Sequence, residues 1–100
     1  MKTTLEFFTK TIATPDTAEA LTTSRIFAKS VTIQALPSNT VDIMLGDSNL
    51  QFSTANGSPQ LVPYQTEHYE NVYLDQIYLD VDTGGAGQGV SVAYQVHKLL

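Results

Sequence analysis

The chain has 100 residues, 42% hydrophobic, 9% aromatic and 15% charged, a balance that fits one globular domain with its own core and not a disordered segment. It has no cysteine, which excludes disulfides and thiolate metal sites, and its formal charge of −5 argues against nonspecific binding to nucleic acid or anionic membranes. No apolar run approaches the roughly 18 residues of a membrane-spanning helix, and the opening stretch to Asp16, broken by Thr, Glu and Lys, does not read as a signal peptide.

The residue mix is rich in Thr, Val, Ile, Tyr and Phe and favours strands. Residues 3–12 read as the first strand. There Leu5 and Phe7 share one face, which puts Phe8 with Glu6 on the other. An apolar group on that polar face suggests a strand covered on both sides, the second time by a neighbouring subunit. Residues 1–13 are therefore an N-terminal arm or an edge strand of a single domain spanning 1–100. Thr14, Pro15 and Asp16 could open a helix, but the Thr and Ser residues that follow limit this segment to a loop with at most a short helix.

Strand 26–36 carries Val31, Ile33 and Ala35 at alternate positions, and the Pro37-Ser38-Asn39 turn ends it. Strand 40–46 alternates through Val41, Ile43 and Leu45 and stops at Gly46-Asp47-Ser48-Asn49. A strand at 49–54 leads to Asn56-Gly57, the strongest hairpin signal in the chain. Pro59 and Pro63 bracket an edge or irregular segment within a strand at 60–66, followed by strands at 68–74 and 77–82. The glycine-rich stretch Gly84–Gly89 reads as a hairpin loop into the last strand, 89–97. The pattern predicts an all-β fold, an antiparallel β-sandwich or jelly-roll-like barrel of about eight short strands. The expected core is Val31, Ile33, Val41, Ile43, Leu45, Ile77, Leu79, Val81, Val90, Val92 and Val96.

Chemistry-bearing patterns are sparse. His68 and His97 lie on different predicted strands without metal-ligand spacing and read as surface histidines on outward faces. Asp80-Val81-Asp82 begins like a calcium loop, but position 91 is Ser91 where a bidentate Glu is needed. The two carboxylates read instead as outward groups that blunt a strand edge. Glu67, Glu70, Asp75 and Asp80 could pair for glycoside hydrolysis, but any acidic β protein offers such pairs. No serine sits in a nucleophile elbow, and the glycine-rich stretch precedes a strand rather than a helix. No catalytic, cofactor-binding or metal-binding residue is assigned, and no enzyme is expected. The basic residues Lys2, Lys10, Arg25, Lys29 and Lys98 are scattered, which speaks against nucleic acid.

Aromatic placement is the unusual feature. Tyr64, Tyr69, Tyr73 and Tyr78 fall within one short stretch, and Tyr78 is expected to face outward with Asp80. Tyrosine offers large contact area with a polar tip and is enriched at interfaces. With Phe7 and Phe8 these four tyrosines form the candidate partner interface. A free-standing carbohydrate-binding sandwich would want exposed coplanar rings, and the chain has no Trp.

Three stretches, taken in order, carry a resemblance. They are Ala28–Thr40 (AKSVTIQALPSNT), Gly46-Asp47-Ser48-Asn49, and Ile77–Gly84 running on through Gly89–Tyr94, with the Pro59–Pro63 segment between the second and the third. Their order resembles small β-sandwich structural proteins from the virion gene modules of tailed bacteriophages. The likeness spans about residues 17–96 and departs from the pattern at Glu67–Asn71, which is more polar and richer in tyrosine. It implies a non-enzymatic particle protein made in the host cytoplasm. A capsid decoration (cement) protein, homo-oligomeric on the major capsid protein lattice, is the first expectation. A tail, baseplate or fibre adaptor or receptor-binding module, contacting another virion protein, is the second.

Overall fold

Alternation makes these segments extend. Val31, Ile33 and Ala35, and again Val90, Val92, Tyr94 and Val96, are buried, while the residues between them are partly exposed. One apolar side chain every second residue gives a strand a single face to bury. A computed structural model of the chain describes residues 2–50, 61–81, 85 and 87–98. Among them lie seven strands: β1 (Lys2–Thr11), β2 (Glu19–Ala20), β3 (Phe27–Ala35), β4 (Ile43–Gly46), β5 (Thr66–Tyr73), β6 (Tyr78–Val81) and β7 (Gly89–Lys98). A 3-10 turn, Leu74–Gln76, follows β5. Every strand pair is antiparallel.

The strands form two sheets, ordered β1-β7-β3-β5 and β2-β6-β4. Among the described residues, the seven strands alternate between the two sheets in chain order. The core lies between the sheets: Val31, Ile33, Val90 and Val92 from one meet Ile43, Leu45, Leu79 and Val81 from the other. Of the expected core all are buried except Val41, which is half-buried and packs against it. Ile12, Leu21, Leu61 and Leu74 add to it from connecting segments.

Alternation shifts phase once. Ala28 and Val31 both face the core although an odd number of positions separates them, and Val72 and Tyr69 opposite them on β5 do the same. Asn71 takes the left-handed conformation there, with φ 53°. Asn tolerates that region better than most residues. Both strands turn over together, and their register is kept.

Two polar side chains hold the strand ends. Buried Asn39 donates from Nδ2 to the Gly89 carbonyl at 2.9 Å and accepts the Gly89 amide at 3.0 Å, copying a strand–strand pair with its side chain. Glu19 accepts the amides of Ala13 (3.0 Å) and Thr14 (2.8 Å) and the Lys10 ammonium (3.0 Å), tying β2 to β1 across the sandwich. A Cβ at Gly89 would collide with the Lys10 carbonyl, so only glycine lets β1 approach there.

Several expectations need correction. Phe8 and Glu6 do share a face, but it is the core side: Phe8 lies opposite buried Val92, meets the Tyr94 ring edge-on at 5.8 Å, and leaves Leu5 and Phe7 exposed. The Lys2–Thr11 segment is paired along its length with β7, so it is an edge strand and not a loose arm. Residues 14–21 form no helix; they turn and then contribute β2. β6 and β7 belong to different sheets and do not pair, so the connection between them closes no hairpin. In the expected strand at 60–66 Leu61 makes an isolated bridge to Ile43, a turn follows, and Thr66 already belongs to β5, opposite Gln34; residue 60 lies outside the described residues. Asn49 and Leu50 belong to a turn; the rest of the expected 49–54 strand and the Asn56-Gly57 hairpin lie outside the described residues. Asp80 is fully buried rather than outward. It accepts the Thr17 amide at 3.0 Å and the Val81 amide at 2.8 Å on the far side of β6, under the loop before β2. Asp82 lies outside the described residues.

Urea denaturation checks this arrangement. Leu79→Ala should cost about 2–5 kcal/mol, because Leu79 is wholly enclosed. Phe8→Ala should cost about 2 kcal/mol or more, while Phe7→Ala should stay within about 0.5 kcal/mol. A larger loss at position 7 than at position 8 would mean that the faces of β1 are reversed. Asn39→Asp, which removes the donor to Gly89, should cost about 1–3 kcal/mol.

Candidate interaction surface

The two sheets differ in what they leave uncovered. Met44 and Asp80, on the far face of the three-stranded sheet, are both buried. The four-stranded sheet leaves its outer face open. Read across β1, β7, β3 and β5, that face carries the rows Leu5–Gln95–Ser30–Glu70, Phe7–Ala93–Thr32–His68 and Thr9–Ser91–Gln34–Thr66. Phe7 is 70% exposed and Leu5 54%. Beside Phe7 runs a groove of about 380 Å³, floored by Ala93 and Ser91 and walled by Thr9, Thr32, Gln34 and Thr66. Every residue lining it is uncharged.

The structure does not bring the six candidate interface residues together. Phe7 stands on the open face, and Phe8 is part of the core side. Tyr64, 67% exposed with φ 73°, sits in the turn before β5, where Gln34 Nε2 donates to its carbonyl at 3.0 Å. Tyr73 lies at the opposite end of β5: its ring meets Phe27 edge-on at 5.0 Å and carries the Arg25 guanidinium over its face at 3.6 Å. Arg25 also holds Asp75, at 3.1 Å. Tyr69 turns inward against the core. Tyr78 belongs to the other sheet, half-buried beside a depression it lines with Asp47, Ser48 and Asp75. The tyrosines are neighbours in sequence only, because alternation and the switch of sheets after Gln76 send them to different surfaces.

Polar chemistry on the open face is modest. His68 Nδ1 pairs with the Thr32 hydroxyl at 3.0 Å, and its Nε2 lies 3.6 Å from Glu70 Oε1. His97 Nδ1 pairs with the Thr3 hydroxyl at 3.3 Å. Both histidines are exposed on this outward face, as expected. Among the described residues no three His, Cys, Asp or Glu side chains converge as metal ligands would. Leu5 and Phe27, the latter 47% exposed, are surface residues that sequence reasoning missed. Leu5 could have been found only by knowing which face of β1 meets the core. Comparison with protein-family models, curated proteins and solved structures finds no significant match.

Among the described residues, Glu19, Tyr69 and Tyr94 carry a pH signature. Burial opposes ionisation of Glu19, but the Thr14 amide, the Lys10 ammonium and the Ala13 amide outweigh it and hold the carboxyl below 4.5. Burial, with Glu67 nearby, raises the Tyr69 hydroxyl above 10.0; burial, with Glu6 beside it, does the same to Tyr94. A depressed carboxyl stabilises the fold above its unfolded value and loses that contribution as pH falls through the folded one. A raised phenol stabilises below its unfolded value and loses the contribution as pH rises through the folded one. The urea midpoint should therefore fall as pH drops below 4.5, through Glu19, and as it climbs above 10.0, through Tyr69 and Tyr94. Glu19→Gln should flatten the acid limb and Tyr69→Phe the alkaline one; unchanged limbs in both variants would refute the assignment.

Proposed function

We propose that this chain is a non-enzymatic structural protein of a tailed-phage particle, a capsid decoration protein seated on the major capsid protein lattice. The order of the Ala28–Thr40, Gly46–Asn49 and Ile77–Tyr94 stretches supports the particle class. The sheet orders support the finer fold, a jelly roll. Its first and last strands are neighbours, the seven described strands alternate between sheets, and Leu61 bridges Ile43 at the β4 edge, where a jelly roll places an eighth strand beside its predecessor. Jelly rolls serve viral capsids and lectins alike, so this support is analogy.

One observation carries the reading of an interaction protein. The large apolar side chains left exposed include Leu5, Phe7, Phe27 and Tyr64, and all four lie on the four-stranded sheet or in the turn leading into it. Removing such side chains from water contributes roughly 25 cal/mol per Å² buried; Leu5 and Phe7, adjacent on the open face of β1, form the patch that marks a contact surface, with Tyr64 and Phe27 at opposite ends of the β3–β5 pair. Decoration would then act by mass action: a ligand that binds only the mature lattice stabilises it by RT ln(1 + [L]/Kd). Copies linked to one another would add avidity.

Quantitative mass spectrometry of purified particles of a phage carrying this gene tests the proposal. Decoration predicts a copy number on the scale of the major capsid protein. A few copies fractionating with tails would move the chain to the tail or baseplate. Absence from particles would remove the virion reading altogether.

A further inference from the structure

The chain is acidic, with ten Asp plus Glu against five Lys plus Arg, so two copies repel at most orientations. The open face of the four-stranded sheet is the exception. Among the described residues its ionised side chains are Lys29 and Glu70, of opposite sign and together at one corner. The rest is Thr, Ser, Gln, His and Ala around exposed Leu5 and Phe7. Two copies meeting across this face bring no like charges together.

The face also has the shape that a two-fold contact needs. Such an interface uses one patch twice, so a projection and the recess that receives it must lie side by side on the same surface. Phe7 projects, 70% exposed, at the rim of the groove floored by Ala93 and Ser91. An apolar cavity of roughly 150 Å³ already takes a benzene ring, and this groove measures about 380 Å³. Area decides whether the contact can be specific. Four strands about 4.8 Å apart, eight to ten residues long at about 3.3 Å each, give a face of about 500–600 Å². Two such faces in full overlap bury at most about 1,000–1,200 Å², at the lower bound for a specific interface.

We propose that the chain forms a two-fold dimer with the four-stranded sheets face to face, the Phe7 ring of each copy entering the groove beside Ala93 of the other. The inference rests on this surface alone and not on the particle reading. It leaves Tyr64 and the Arg25–Phe27–Tyr73 cluster, at opposite ends of the β3–β5 pair, for other contacts. Because the interface is neutral and the copies are acidic, added salt should screen the net repulsion and leave the dimer intact or strengthen it.

Sedimentation velocity of the purified full chain over a concentration series tests this. The wild type should pass from monomer to dimer as concentration rises. Phe7→Asp should raise the dissociation constant at least about tenfold, as expected for loss of a central aromatic anchor. Ala93→Glu, which fills and charges the groove, should do the same and carries the test if Phe7→Asp does not fold by circular dichroism. Tyr64→Asp, off the face, should dimerise like the wild type. A wild type that stays monomeric throughout the series overturns the proposal. So do Phe7→Asp and Ala93→Glu variants that dimerise normally, or a dimer lost in Tyr64→Asp alone.

Discussion

Everything in the four-stranded sheet is referred to β7, and β7 is referred to Gly89. The strand pairs with β1 on one side and β3 on the other, so one choice of register places three strands at once. That choice is made where β7 begins. The Gly89 carbonyl receives both the Asn39 side-chain amide and the Leu36 backbone amide, and the Gly89 amide is returned to Asn39. On its other flank the missing Cβ admits the Lys10 carbonyl. A slip of one residue would break this node and also move Val90, Val92 and Val96 from the core to the open face. Hydrogen bonding and hydrophobic burial therefore specify the same register.

Alternation of the chain between sheets has consequences for how the fold holds together. Among the described residues no strand pairs with its immediate neighbour in sequence, so each ladder closes a long stretch of chain before it is rewarded. Short tethers compensate where the chain crosses between sheets. Glu19 joins the loop before β2 to Lys10, and Asp80 draws the Thr17 amide onto the back of β6. Each carboxylate is satisfied by backbone amides, the condition under which a buried or half-buried charge is tolerated. All buried side-chain nitrogens and oxygens among the described residues have partners.

The same architecture divides the surface. On the far face of the three-stranded sheet Met44 and Asp80 are buried, Asp80 under the loop before β2, whereas the four-stranded sheet is left with one face dry and one open. An antiparallel sheet tolerates that state when its outer residues are polar. Here they are polar but almost uncharged, with two large apolar groups on the edge strand. The inward charges of that strand, Glu6 and Lys10, are engaged with Tyr94 and Glu19 inside the molecule. They also oppose edge-to-edge pairing, which directs association to the sheet face rather than to its rim.

Alternation alone dictates an all-β chain and the core face of Val31 and Ile33 on β3, Ile43 and Leu45 on β4, Leu79 and Val81 on β6, and Val90, Val92 and Val96 on β7. Period-two alternation is local: Ile33 between Thr32 and Gln34, or Leu79 between Tyr78 and Asp80, leaves one choice of face. Where both faces of a strand carry apolar groups the rule has nothing to say, and Leu5, Phe7 and Phe8 were decided only by pairing β1 with β7. Sheet membership was equally out of reach. A glycine-rich connection between two alternating segments looks the same whether it closes a hairpin or crosses a sandwich, and the partners that decide, β4 for β6 and β1 and β3 for β7, lie far along the chain. The burial of Asp80 and the strand-like pairing of Asn39 with Gly89 belong to the same class. A polar side chain becomes structural only when distant backbone amides and carbonyls arrive to satisfy it, and that is a property of the tertiary fold.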